Sequence, residues 1–196
     1  MARPVKPPRS RAADAFAEPG LRSLFVESLP YDRRPSEAFA YLGVPDEAVW
    51  PRPWPGMVLV HGGGGTAFAS WVRFWTSRGY AAIAADNCGQ LPTGGHNQHP
   101  RSPTGGPPGW GGFDQIDQPV GDHWMTHAVE ITRRSFDLLS AHEGIDPGRI
   151  GITGVSWGGV IALNVAAREP RLRLAMPVYG CGFLTENSAW LGDFAR

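Results

Sequence analysis

Two short stretches hold the residue types that acyl transfer needs. The first is Gly154-Val155-Ser156-Trp157-Gly158-Gly159, a G-x-S-x-G turn. A serine hydroxyl serves as a nucleophile when the backbone presents Oγ clear of its surroundings, beside groups that meet the developing charge. Glycine at 154 and 158 lets a strand and a helix pass where a Cβ would clash. The second stretch is His61-Gly62-Gly63-Gly64-Gly65. Attack on an ester carbonyl builds negative charge on its oxygen, and preorganised backbone N–H groups stabilise it. The N–H of Trp157, next after the nucleophile, is expected to be one donor. Gly63 is expected to supply the other, with Gly64 as the alternative. Each stretch alone has a plainer account. Ser156 would suit a helix N-cap after a Gly-rich turn. The glycine run would suit a phosphate loop, although it lacks both G-x-G-x-x-G and a Gly-Lys-Ser/Thr ending.

The flanking elements favour the catalytic account. Ile150 and Ile152 alternate with small residues, as in a short buried strand, and Val160-Ile161-Ala162-Leu163 opens an apolar, helix-compatible run ending near Glu169-Pro170. Gly56 to Val60 is a continuous apolar run leading into His61, the mark of a strand buried on both faces. Ala67 to Arg78 is predicted helical, with Ala67, Trp71, Phe74 and Trp75 on one face and Gly79 as a stop. Strands are predicted at Ser23–Ser28, Ala38–Leu42, Tyr80–Ala85 and Arg171–Tyr179, and a long helix at Asp122–Ala141 faces inward with Trp124, Ala128, Ile131, Ser135 and Leu139. Asp146-Pro147-Gly148 is predicted to turn the chain into the serine strand. Alternating strands and helices predict an α/β protein with a mostly parallel sheet. Right-handed crossovers place the strand C-terminal ends, where such sheets bind ligands, on one edge. His61–Gly65, Asp86, Ser156 and Gly180-Cys181-Gly182 all fall there. Between Asn87 and Gly121 lies a loop dense in Gly, Pro and aromatics, and loops of that length in a compact domain usually carry function. Its Trp110 and Phe113 are candidates to wall a pocket or stack on a sugar ring, and Asn187, Trp190 and Phe194 to begin a cap.

Composition narrows the partners. The 196 residues suffice for one domain. Lys+Arg and Asp+Glu number 18 each, which speaks against nucleic-acid or anionic-membrane binding. Residues 1–20 are basic, Pro-rich and without an apolar core segment, so they read as a flexible tail rather than a secretory signal, leaving 21–196 as the domain. Cys88 and Cys181 are too few for a disulfide framework and read as reduced thiols of a cytoplasmic protein.

The chain resembles the α/β-hydrolases, nearest to the acetyl xylan esterase, dienelactone hydrolase and prolyl-oligopeptidase-like group. The matching residues are Val60 to Gly64, Asp146 to Gly151, Gly154 to Gly159 and Pro177 to Gly182. The resemblance implies cleavage of small esters such as acetylated sugars by a Ser-His-Asp triad, without cofactor or metal. A peptidase of the prolyl-oligopeptidase type and a non-catalytic hydrolase fragment are the alternatives. Dienelactone hydrolases proper place Cys where Ser156 stands. In this superfamily the acid and the histidine follow the nucleophile along the chain. Here no histidine follows Ser156, and the later acids are Glu169, Glu186 and Asp193, none after a further strand. The chain therefore reads as the N-terminal two-thirds of the fold. His123 and His127, four apart on a helix, lack the Glu of H-E-x-x-H and a third ligand. His61 is expected to orient the oxyanion loop, His142 to sit at a helix end, and Asp86 and Asp146 to serve as turn or cap residues. His96 and His99 lie in the Gly/Pro loop as lesser candidates for a catalytic role.

Overall fold

The computed structural model describes residues 6–109 and 115–180, together with 182 and 186. Its centre is a seven-stranded sheet in the order β1-β2-β3-β5-β4-β6-β7, formed by Ser10–Ala12, Arg22–Glu27, Glu37–Gly43, Ala81–Ala85, Trp54–Val60, Ile145–Val155 and Leu174–Val178. β1, β2 and β3 pair antiparallel, and β3 joins β5 the same way. β5, β4, β6 and β7 run parallel. Three helices connect the parallel strands: α1 (Ala69–Thr76), α2 (Trp124–Ser140) and α3 (Trp157–Ala166). This is the expected α/β architecture.

The strands that carry the site are apolar on both faces because both faces are covered. Val58, Val60, Ile83, Ile150 and Ile152 pack with Trp124, Ala128, Ile131, Phe136 and Leu139 of α2 and Ile161 and Val165 of α3. Met57, Leu59, Ala82 and Ala84 pack the other way, with Phe25, Phe39, Tyr41 and Val72 of α1. The inner face predicted for α2 is buried at all five positions. That of α1 is not. Val72 is its fully buried residue, Trp71 and Trp75 are partly buried, and Phe74 is half exposed under the Arg78 guanidinium, 3.6 Å from its ring centroid. Periodicity placed the stripe correctly only to within about one position.

The flexible tail expected over 1–20 is corrected from Ser10 onward. β1 pairs with β2, Asp14–Phe16 forms a 3-10 turn, and Ala13 is buried. Arg11 ties the strand down through a bidentate contact with Glu37 while its guanidinium lies 4.3 Å over the Phe25 ring. The domain therefore includes residues assigned to the tail. The turn at Asp146–Gly148 lies inside β6, where its register against β4 shifts. Asp146 accepts from Arg149 (2.8 Å) and from the Gly148 N–H (2.9 Å), bonds that hold the carboxyl below its usual range. β7 is shorter than predicted, and Leu174, Met176 and Val178 are 41–50% exposed. Pro177 fits such an outer strand, where a missing N–H costs little.

Candidate active site

Ser156 follows β6 directly and precedes α3, with φ 57° and ψ −120°. Non-glycine residues rarely occupy that region. Its N–H donates to the Val178 carbonyl (3.0 Å), and its carbonyl accepts from Gly159 N (2.8 Å). Glycine at 154 and 158 has a steric cause. A Cβ on Gly154 would strike the Gly158 carbonyl group, and one on Gly158 would strike the Val60 carbonyl and approach that of His61 to 2.8 Å. Helix α3 thus starts pressed against the ends of β4 and β6. Trp157 is its first residue, where backbone N–H groups point out of the helix end. The Trp157 ring stacks edge-on against Trp124 (5.5 Å between centroids), so the tip of α2 braces this turn.

The glycine run lies beside the serine. A Cβ on Gly62 would come within 3.2 Å of Ser156 Cβ and 2.7 Å of the Val155 carbonyl. Gly65 N–H donates to the Gly62 carbonyl (3.3 Å), closing a four-residue turn around Gly63 and Gly64. From the third side Gly180, at φ 72°, leaves only 3.1 Å between a would-be Cβ and Ser156 Cα. Ser156, Trp157, Gly63, Gly64, Gly154 and Gly158 are therefore brought together at one sheet edge, as is Gly180.

His61 supports this group from below and is buried. The Asn87 N–H donates to its Nε2 (3.0 Å), so the ring proton is on Nδ1, which donates to the Gly62 carbonyl (2.9 Å). Asp86 Oδ1 lies 3.6 Å from Nε2, but that nitrogen carries no proton, and the contact is not an ion pair. The other Asp86 oxygen caps the following turn, accepting from Cys88 N (3.0 Å) and Gln90 N (2.7 Å). Burial and the neighbouring Asp86 push the Cys88 thiol well above its ordinary pKa.

The remaining histidines go elsewhere. His123 bonds the Gln118 carbonyl (2.8 Å), and His127 donates from Nε2 to the Gly121 carbonyl (2.9 Å), so the pair is not aimed at a common point. Burial lowers the His127 pKa. His99 and His142 bond the carbonyls of Thr93 and Glu143. His96 is exposed, with its ring against Gly64. Among the described residues no group of three or more His, Cys, Asp or Glu side chains could hold a metal ion. Glu169 is buried in a cluster with Asp137, Arg171 and Arg133 near the end of α3, a structural network that spacing alone did not reveal. Trp110, Phe113, Cys181, Asn187, Trp190, Asp193 and Phe194 lie outside the described residues. A cleft of about 430 Å³ lies between α1 and β6 and is lined by Trp71, Phe74, Trp75 and Val155 rather than Ser156. No helix among the described residues is long and apolar enough to cross a membrane.

Solved structures share this fold. The acetyl xylan esterase from Paenibacillus sp. R4 superposes with a TM-score of 0.62 at 25% identity, over 88% of this chain and 55% of its own. Acetyl xylan esterase 1 from Thermoanaerobacterium sp. JW/SL YS485 superposes at 0.63 with 18% identity, over 88% and 54%. A putative dienelactone hydrolase from Klebsiella pneumoniae subsp. pneumoniae matches at 0.50 with 25% identity, over 76% and 56%. The chain thus spans about half the length of these relatives. No curated protein sequence matches it. The sequence model described as acetyl xylan esterase (AXE1) matches residues 36–189, a span running from β3 through both glycine turns and past β7. By that match the chain, an α/β-hydrolase in fold, belongs to the acetyl xylan esterase (AXE1) family.

Proposed function

We propose that this chain carries the nucleophile and the oxyanion-binding half of a serine carboxylic ester hydrolase. Ser156 is the nucleophile, and acetyl esters of small alcohols, acetylated sugars among them, are the substrate class. The observation that carries this is the backbone of Ser156, held at φ 57° with Gly62 and Gly180 packed against it. An ordinary helix N-cap has extended backbone and a side chain folded onto the first N–H groups, whereas Ser156 makes no side-chain cap bond. Strain of this kind persists where the surrounding structure enforces it, typically at active sites.

In the proposed reaction, Ser156 Oγ attacks the ester carbonyl carbon. The oxyanion that forms is met by the N–H groups of Trp157 and Gly63, with Gly64 as the alternative donor. Collapse of the tetrahedral species expels the alcohol and leaves an acyl-serine, which water then cleaves. The Oγ proton needs a base. Five of the six histidines are hydrogen-bonded elsewhere and His96 rests on Gly64, so none of them is assigned as that base. The chemistry calls on no cofactor, and a cytoplasmic setting belongs to the same proposal.

The test is p-nitrophenyl acetate hydrolysis by this chain beside Ser156→Ala. Oxyanion donors leave roughly 10³-fold acceleration over water with or without the serine, so Ser156 is read as the rate in excess of that level. The wild-type chain is expected to show that excess and Ser156→Ala to lose it. Equal rates would remove Ser156 from the mechanism.

A further inference from the structure

The glycine turn offers two candidate N–H groups to an oxyanion, those of Gly63 and Gly64, and the surroundings choose between them. Gly64 is buried. The Asn97 amide oxygen and the His96 ring occupy the space a Cβ on it would take, and the Asn97 N–H donates to its carbonyl (2.9 Å). Gly63 is partly exposed. The closing bond of the turn uses the Gly65 N–H, so the Gly63 N–H is not spent there. Four consecutive glycines put no side-chain restraint on their own peptides, so whatever aims the Gly63 N–H lies outside the run.

The Gly63 N–H shares its peptide with the Gly62 carbonyl, and in a trans peptide the two point opposite ways. That carbonyl accepts twice, from the Gly65 N–H (3.3 Å) and from His61 Nδ1 (2.9 Å). The His61 ring is buried under the turn, with Nδ1 3.2 Å from where a Cβ on Gly65 would stand. With its carbonyl held down onto that ring, the peptide turns the Gly63 N–H the other way, out of the fold. The ring can do this in one tautomer only. The Asn87 N–H donates to Nε2 (3.0 Å), which leaves the ring proton on Nδ1. The opposite tautomer would set two donors against each other at Asn87 and two acceptors at Gly62. Asn87 is itself clamped. Its side-chain amide donates to the His61 carbonyl (3.1 Å), and its own carbonyl accepts from the Trp124 indole (2.6 Å), whose ring meets that of Trp157.

We infer that Gly63 rather than Gly64 is the oxyanion donor of this loop, and that His61, in the tautomer the Asn87 N–H imposes, is the positioning residue that fixes the Gly62–Gly63 peptide. This rests on the ester-hydrolase reading, and the experiment separates the two.

One arm needs no catalysis and no variant that must work: the ring nitrogens of ¹⁵N-histidine in the wild-type chain, with the His61 signal identified by its loss in a His61 variant. His61 is expected neutral with its proton on Nδ1; a proton on Nε2 overturns the relay. The other arm is steady-state p-nitrophenyl acetate hydrolysis by variants that thermal unfolding shows to be folded. His61→Asn places an amide N–H roughly where Nδ1 stands and keeps a donor for the Gly62 carbonyl. His61→Gln reaches the Nε2 position and loses that donor. His61→Gln is expected to lower kcat about tenfold or more with KM within about twofold, and His61→Asn to stay within about threefold of wild type. Equal losses in the two overturn the positioning role. Gly63→Pro removes the N–H at the turn position that accepts proline, given Gly64 at φ +72°, and is expected to lower kcat about 10²-fold. An unchanged kcat in Gly63→Pro overturns the choice of Gly63. Because both changes act on one N–H, the double variant His61→Gln/Gly63→Pro should lie within about threefold of Gly63→Pro alone, and multiplied losses overturn the link between them. If wild type is no faster than buffer, the ester reading fails, and the histidine spectrum alone decides whether the relay exists.

Discussion

Replacing Ser156 with glycine is expected to raise the melting temperature while removing the proposed nucleophile. At φ 57° and ψ −120° the Cβ of Ser156 is crowded by its own backbone, in a region glycine enters freely. Strain of this class costs about 1–3 kcal/mol. Glycine also loosens the unfolded chain, which offsets roughly 0.4–1 kcal/mol of the relief. No side-chain bond of Ser156 caps α3, so truncation forfeits little else. At the middle of each range the net gain is about 1.3 kcal/mol, equivalent to roughly 3–5 °C for a chain of this length. Ser156→Ala is the control. It removes Oγ but keeps Cβ, and therefore keeps the strain, so its midpoint should lie within about 1 °C of wild type. Both variants are expected to lose ester turnover, so activity does not distinguish them and the calorimeter does. If Ser156→Gly melts at or below Ser156→Ala, the backbone at 156 stores no strain, and the main support for Ser156 as the nucleophile goes with it.

Gly158→Ala drives a Cβ into the Val60 and His61 carbonyls, backbone that has no side chain to swing aside. A loss of about 3 kcal/mol, or roughly 6–12 °C, is expected, against under ~2 °C for Gly121→Ala, where nothing lies within 4 Å; equal midpoints for the two variants would count against the packing. Arg171→Gln removes the side-chain partner of Glu169 and one of two from Asp137, which keeps Arg133; both carboxylates are at most 4% exposed. The guanidinium is partly exposed, so the cost at pH 7 is about 2–3 kcal/mol by denaturant titration rather than that of a fully buried pair. The Glu169 carboxyl is held below its ordinary pKa chiefly by its bonds to Arg171. Its contribution is present above the unfolded value near 4.5 and lost as pH falls through the folded one, so the deficit of Arg171→Gln should shrink there; a pH-independent deficit contradicts this. Burial depresses His127, so the fold loses stability as pH falls below about 6.5 toward the folded value. His127→Gln keeps a donor for the Gly121 carbonyl and should flatten melting temperature between pH 7.5 and 5.5; an unchanged slope assigns the acid sensitivity to another group.

Both glycine turns were legible in the sequence because backbone close approach admits glycine almost alone. Gly154 and Gly158 are excluded from bearing a Cβ by carbonyls, and that signal is written directly in residue type. The parallel strands were legible for a similar reason, since burial on both faces turns Val58, Leu59 and Val60 into an unbroken apolar run. β1 was not legible. Ser10-Arg11-Ala12 has no apolar alternation and is held by Arg11 reaching Glu37, 26 residues away. Phe74 was misplaced because an amphipathic eight-residue helix fixes its inward face only loosely, and Arg78 supplies a partner at the surface. The support of Gly64 by His96 and Asn97 is a tertiary contact between two loops, and its one local trace is an asparagine at a left-handed position.

The spatial order of the strands has a consequence for synthesis. A ribosome releases β1, β2 and β3 first, and these are neighbours that pair in the order they emerge. β4 comes next but has no place beside β3. It must wait for β5, which fills the gap, and only then can β6 and β7 be laid on in turn. Vectorial assembly therefore proceeds by accretion at one end, interrupted by a single transposition. While β4 waits, Met57 to Val60 is an apolar strand with neither edge paired. That interval, before residue 85 clears the exit tunnel, is when a chaperone that grips extended apolar chain has most to hold.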